Sequence, residues 1–257
     1  MIMRRLGQNL REQNWTAITI EFVLLVAGVF LGIQVANWNA ERLERRAGRS
    51  YVERIREDLG RNEQALEARI AYYLQVKKHA LAALAAFDRP KAELGEPFLV
   101  DAFQATQILS PILDKSTYVE LISAGAMNSI PDVAVRRQIA SFYQNLSATE
   151  EILAYIPPYR EHLRRQMPYP VQEAMNAHCD DLMTLDGGGL PRPVLPEECR
   201  LDLPPALVSA AVAELLTPEL KLDLQRRLAD IDTKITNFRR LLKLSSALEQ
   251  SLGKETG

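Results

Sequence analysis

The sequence has few of the residues that build metal centres and disulfide scaffolds. Only 2 cysteines and 3 histidines occur in 257 residues, which excludes a disulfide-rich fold and leaves little material for zinc or haem ligation. A basic excess is also missing, since 31 Lys+Arg face 33 Asp+Glu, and we therefore expect no nucleic-acid partner.

Common catalytic motifs are missing as well. The sequence has no G-x-S-x-G elbow, P-loop, dinucleotide-binding fingerprint or H-E-x-x-H pair. His79 and His162 stand alone on predicted helices, where a surface or packing role is the simpler interpretation. We therefore expect no catalytic, cofactor-binding or metal-binding residues, and no enzymatic activity.

One long apolar run is present near the N-terminus. Residues 18–35 read ITIEFVLLVAGVFLGIQV, and as a helix about 18 residues cover roughly 27 Å, close to the hydrocarbon thickness of a bilayer. Trp15 and Trp38 stand at its two ends, where interfacial aromatic residues are found. This pattern predicts a transmembrane helix over residues 15–38, preceded by a basic tail over residues 1–14.

Two other interpretations of this run are a cleavable signal peptide and a buried helix of a soluble protein. Arg4 and Arg5 precede the run as they would in a signal peptide. However, no small-x-small cleavage site follows, and the sequence after Val35 favours a continuing helix. The flanking tryptophans and the arginines beyond them argue against a soluble core helix.

The predicted span carries a candidate interaction face. Gly28 and Gly32 form a G-x-x-x-G pair, and Glu21 lies seven residues before Gly28, so all three share one side of the helix. Small residues let two helix backbones approach closely, and a carboxyl group in lipid needs a polar partner, a proton or the headgroups. The alternative is that the glycines are incidental and Glu21 is solvated at the interface.

The two cysteines help to predict the cellular compartment of the domain that follows the span. Cys179 and Cys199 flank a segment rich in glycine, proline and acidic residues, and we expect a disulfide between them to close it. A metal site is the alternative, but no pair of ligands in this segment has a recognised zinc spacing. A disulfide requires an oxidising compartment and therefore favours a periplasmic domain. The arginines that follow the span favour the cytoplasm by the positive-inside rule. We give the cysteine pair more weight, because the arginines have acidic helix neighbours.

The segment GVFLGIQVANWNAER resembles a family of uncharacterised single-pass bacterial inner-membrane proteins. The residues that carry this resemblance are Glu21, Gln34, Asn37, Trp38 and Asn39. A second segment, STYVELISAGAMNSIPDVAVRRQIASFYQNL, is similar to an internal block of that family through Thr117, Tyr118, Leu121, Gly125, Ile130 and Tyr143. The resemblance implies a location and a fold, but no reaction.

Helical periodicity continues beyond the span and predicts an all-α protein. Apolar residues recur at helical spacing from Val52 to Leu84, which predicts one helix running from the membrane to about Arg89. A second long helix should begin at Thr217 and Pro218. It carries an apolar seam in alternating steps of four and three residues, at Leu224, Leu228, Ile231, Ile235, Phe238 and Leu242.

These two helices predict an antiparallel helical bundle over residues 39–257, with an irregular loop at about residues 180–204. Packing of the seam against a second copy of the chain is the competing explanation. Shorter helices are expected at residues 99–109, after a capping box at Thr117 and Glu120, and from Pro131 to about Ile156. Pro157 and Pro158 should end the last of these.

Two kinds of function fit these features. The first is a membrane-anchored, non-enzymatic interaction or scaffold protein of the bacterial cell envelope, which self-associates or serves as an accessory subunit of a larger membrane complex. The second is a ligand-sensing helical bundle that signals through a membrane partner. In that case a cleft would be lined by aromatic residues drawn from Tyr72, Tyr73, Phe142, Tyr143, Tyr155 and Tyr159.

Overall fold

The computed structural model describes residues 15–109, 113–185 and 191–255. The predicted basic tail over residues 1–14 lies outside these ranges. The α-helices are α1 (Trp15–Ala86), α2 (Glu96–Gln104), α3 (Ser116–Ser123), α4 (Val133–Ala154), α5 (Pro158–Gln166), α6 (Tyr169–His178), α7 (Pro205–Leu215) and α8 (Pro218–Glu255). Single 3-10 turns occupy Lys91–Glu93 and Ala126–Ser129. The all-α class expected from the sequence is confirmed.

Helix α1 is continuous over 72 residues, as the unbroken helical periodicity predicts. No proline occurs within it, and its interior glycines do not stop it. Its first part is exposed along its whole length, whereas from Val52 onward one side is buried against the rest of the chain. A single helix therefore connects the apolar segment with the folded domain.

Helix α8 packs along α1 and runs in the opposite direction. Lys77 pairs with Asp232 at 2.6 Å, and Lys221 pairs with Asp88 at 2.7 Å. The numbering thus rises along one helix as it falls along the other. Between these ion pairs and the C-terminal end of α8, the ring of Tyr73 lies 5.9 Å from that of Phe238.

The buried seam of α8 differs from the predicted one at two of its six positions. Leu224, Ile231, Ile235 and Phe238 are buried as predicted. Arg227 and Leu241 are buried where Leu228 and Leu242 were expected, and these two leucines are only partly buried; Lys234 is buried beside Ile235. The sequence pattern missed Arg227 and Lys234 because long charged side chains are rarely buried without a charged partner.

Helix α3 packs on α1, and helix α4 packs on α8. Helix α4 begins at its cap Asp132, which accepts a hydrogen bond from the Ala134 amide, and ends just before Pro157 and Pro158. The expected capping box at Thr117 is wrong, because Thr117 lies inside α3. Its amide donates instead to Asp58 of α1 at 3.3 Å. The start of α3 is therefore held by two carboxylates, Asp58 of α1 and the preceding Asp114, which accepts from the Ser116 amide at 3.0 Å.

Two predicted segments differ from the structure: the irregular loop at about residues 180–204 and the short helix at residues 99–109. Strands β1 (Leu182–Leu185) and β2 (Pro191–Val194) pair antiparallel, with Leu182 opposite Val194. The expected helix at residues 99–109 begins earlier, at Glu96, and ends at Gln104. The hairpin was not predicted because β1 shows no alternation of apolar and polar residues, and all four of its side chains are exposed.

Gly48 marks the point where α1 first touches the folded domain. A Cβ placed there would collide with the backbone carbonyl of Ser129, whereas a Cβ at Gly60 would meet nothing within 4 Å. The close approach of α1 to the turn at Ala126–Ser129 therefore requires glycine at residue 48 alone.

We expect Gly48→Ala to lower the free energy of unfolding by about 1–3 kcal/mol, the range for overpacking. The matched variant Gly60→Ala should raise it by about 0.5–1 kcal/mol, because alanine favours the helix over glycine. Urea denaturation of the full chain in mild detergent measures both. A neutral Gly48→Ala would contradict the close approach of α1 to Ser129.

Candidate functional site

The exposed part of α1 is the strongest candidate for a functional surface. An 18-residue window of this helix has a mean hydropathy of 2.3, and 0% of it is buried. Trp15 and Trp38, at the two ends of the apolar run, are both more than half exposed. A helix this long and apolar can cross a membrane, and no other described part of the chain covers it.

The predicted interaction face lies on this exposed stretch. Glu21, Gly28 and Gly32 are all exposed and occupy one side of α1 by their spacing. A Cβ added at Gly28 or Gly32 would meet nothing within 4 Å. The glycines therefore have no packing role within the described chain, in contrast to Gly48.

The cysteines are joined in the structure by a disulfide between Cys179 and Cys199, with their Cα atoms 5.4 Å apart. The bond closes the segment that contains the β-hairpin. The same segment is also tied to the helices: Gln104 donates to the Cys179 carbonyl at 2.7 Å, and the Leu195 amide donates to Gln75 at 3.0 Å. The hairpin is thus held at its base, with β1 exposed and residues 192–194 of β2 half-buried.

The reactive residues near the disulfide do not form a metal site. Across residues 15–109, 113–185 and 191–255, no three His, Cys, Asp or Glu side chains are close enough together to hold a metal ion. Asp181 accepts instead a hydrogen bond from the Tyr72 hydroxyl at 3.0 Å. Both sulfurs are taken up by the disulfide.

A group of buried arginines that sequence analysis did not single out surrounds the end of α2. Arg227 of α8 is fully buried and donates to the carbonyls of Ala105 and Gln107, at 3.0 and 2.6 Å. From α5, Arg160 donates to the Thr106 carbonyl at 2.9 Å and Arg164 to the Thr106 hydroxyl at 3.2 Å. We call Arg160, Arg164 and Arg227 the arginine cluster.

The cluster binds the carbonyl groups of the segment that follows α2, Ala105 to Gln107, and the hydroxyl of Thr106, so that these buried polar groups have hydrogen-bond partners. Burial is the main cause that lowers the pKa of Arg164 to about 10, and it also lowers the pKa of Arg160 and Arg227. All three guanidinium groups remain charged at neutral pH. The arrangement fixes α2 between α5 and α8, which is a structural role.

The only sequence signal for this cluster is spacing. Arg160 and Arg164 are four residues apart on one helix, and Arg227 lies three residues after Leu224 in the seam of α8. Neither spacing distinguishes a buried arginine from a solvated one.

The aromatic residues expected to line a cleft are mostly parts of the core. The side chains of Tyr72, Tyr73, Phe142, Tyr143 and Tyr159 are at most 2% exposed, and Tyr155 lies on the surface. Cavities of about 540 and 440 Å³ are present on the described surface, but neither is lined by any of these six residues.

Comparison of the chain with protein-family models, curated proteins and solved structures gives no match.

Lys234 offers a pH test of the buried seam. Its ammonium group lies 3.5 Å from the Leu153 carbonyl and 5.6 Å from the ring centre of Tyr73. Burial, and then the nearby charge of Arg227, lower the pKa of Lys234 from 10.5 to about 8. Below pH 8 the charge is present in both states and opposes folding; above pH 10.5 it is absent from both states.

We therefore expect Lys234→Met to be more stable than the unmodified chain at neutral pH, with an advantage that shrinks as the pH rises from about 8 to 10.5. Urea denaturation across this range measures the difference between the two proteins. Lys243→Met, at an exposed position of the same helix, is the matched control for replacing a lysine of α8 by methionine. A pH-independent advantage for Lys234→Met would contradict the lowered pKa.

Proposed function

We propose that this chain is a membrane-anchored, non-enzymatic interaction or scaffold protein of the bacterial cell envelope. In this proposal the first part of α1 is a signal anchor that crosses the inner membrane once and carries a helical bundle. The observation that carries it is the 18-residue window of mean hydropathy 2.3 that is 0% buried, on a helix whose continuation is bound into the core. A soluble protein would cover such a surface, because leaving it in water is costly.

The disulfide supports a periplasmic position for the bundle. A bond between Cys179 and Cys199 persists where thiols are oxidised, and in bacteria that compartment is the periplasm. The arginines that follow Trp38 favour the opposite orientation by the positive-inside rule. One of them, Arg45, is paired with Glu41 at 3.2 Å. The covalent bond depends on the compartment more directly than loop charge does, so we favour the periplasm.

The proposed partner is a second copy of the chain or another membrane protein that packs on the face of Glu21, Gly28 and Gly32. The exposed glycines would allow a second backbone to approach closely, and the Glu21 carboxyl group would find a polar partner there. This face needs no contribution from the bundle. The stability of the bundle and the assembly of the complex should therefore respond to different substitutions.

Alkaline phosphatase and a cytoplasmic fluorescent reporter, each fused after Gly257, test the orientation in cells. We expect phosphatase activity without fluorescence, and we expect maleimide to label Cys179 and Cys199 only after reduction. The double variant Cys179→Ser/Cys199→Ser gives the background of labelling. Fluorescence together with two freely reactive thiols would place the bundle in the cytoplasm and contradict the periplasmic proposal.

Substitution of the glycines tests the interaction face. We expect Gly28→Ile/Gly32→Ile to dissociate the complex that the purified chain forms in mild detergent, because the branched side chains keep the backbones apart. Light scattering measures the mass of the complex. The melting temperature of the bundle should stay unchanged. The matched control Val26→Ile/Phe30→Ile alters the opposite side of the span and should leave the complex intact. An intact complex in the glycine variant would exclude this face.

A further inference from the structure

The part of α1 that follows Trp38 carries three arginines along one side. Arg42, Arg46 and Arg49 are spaced four and three residues apart, so their side chains follow one another along the helix. All three are exposed, and we call them the basic stripe. Trp38, one turn earlier, belongs to the same side, because the guanidinium of Arg42 lies 5.6 Å from the centre of its indole ring.

The basic stripe lies on a different side of α1 from the one that contacts the folded domain. Gly48, which touches Ser129, is about 120° around the helix from Arg42, at about 100° per residue. Within the described ranges Arg46 and Arg49 form no ion pair. Glu41, the nearest acidic residue before the stripe, is paired with Arg45. Glu53, one turn beyond Arg49 on the same side, is the nearest acidic residue after the stripe, and the described structure shows no ion pair between the two.

The first arginine of the stripe lies at the height of the headgroup layer of a membrane, and the other two lie just outside it, within reach of its charge. Counted from Trp38, Arg42 lies about 6 Å, Arg46 about 12 Å and Arg49 about 16 Å along the helix axis. The headgroup layer is about 5–8 Å thick on each side of the hydrocarbon, and arginine side chains bend toward it. Arg49 remains within about one Debye length, 8–10 Å, of the charged surface.

We propose that the basic stripe binds the phosphate groups of anionic phospholipids in the leaflet next to Trp38. The proposal rests on the membrane anchoring proposed above. The planar guanidinium group of arginine matches the paired oxygens of a phosphate, and cations beside a span are attracted to an anionic surface. Because α1 is continuous into the core, lipid bound along one side of it fixes the rotation of the whole domain relative to the membrane.

The two tryptophans of the chain make this testable. They are the only ones in the sequence, so Trp15→Phe leaves Trp38, beside the stripe, as the sole tryptophan donor. The full chain is reconstituted in vesicles of phosphatidylcholine and phosphatidylglycerol in equal parts. Either lipid carries, in trace amount, a dansyl acceptor on its acyl chain, so that both headgroups stay intact. Energy transfer from Trp38 then reports which lipid is enriched beside the stripe.

We expect transfer to labelled phosphatidylglycerol to exceed transfer to labelled phosphatidylcholine by about twofold. The excess should disappear in Arg42→Gln/Arg46→Gln/Arg49→Gln and at high salt. The matched control Arg239→Gln/Arg240→Gln removes two exposed arginines of α8, far from the span, and should keep the excess.

Equal transfer to the two lipids in the parent protein would overturn the proposal, as would an excess that survives in the triple variant. Failure of the anchoring itself gives a different result. In that case Trp38 emits as in water and transfers energy to neither lipid, which overturns the proposed function together with the lipid contact.

Discussion

The antiparallel packing of α1 on α8 holds the remaining elements in place. Both helices are long, and each has an apolar side that is unstable in water until the other covers it. The ion pairs Lys77–Asp232 and Lys221–Asp88 fix the register between them. Helices α3 and α4 then pack on this pair, and α2 and α5 are joined to α8 through Arg227 and its neighbours.

Because α1 belongs both to this pair and to the exposed apolar segment, the two halves of the molecule are mechanically linked. A helix rises about 1.5 Å and turns about 100° with each residue, so the distance and rotation between Trp38 and the core are set by residue count. Gly48 is the last constraint before the free segment, since the backbone at Ser129 approaches it closely. The exposed apolar segment and the folded domain therefore keep a fixed distance and rotation relative to each other.

Buried positive charge is the other unusual feature of the core. Arg227 and Lys234 occupy positions of the α8 seam that leucine or isoleucine would fill in an ordinary coiled coil. Burial of Arg227 is tolerated because two carbonyl groups after α2 accept hydrogen bonds from its guanidinium group. Lys234 has the Leu153 carbonyl and the face of Tyr73, and its lowered pKa shows that these compensate only part of the cost of burial.

The sequence by itself determined the long elements and their ends. Periodicity located α1, the start of α8 at Thr217 and Pro218, and the break at Pro157 and Pro158, because helix propensity and proline act locally. Tertiary structure decided what lies inside. It placed Arg227 and Lys234 in the seam, supplied Asp58 as the partner for the start of α3, and held a hairpin between the two ends of the Cys179–Cys199 segment. Each of these depends on a group distant in the chain, and local sequence carries no information about a partner that only folding brings near.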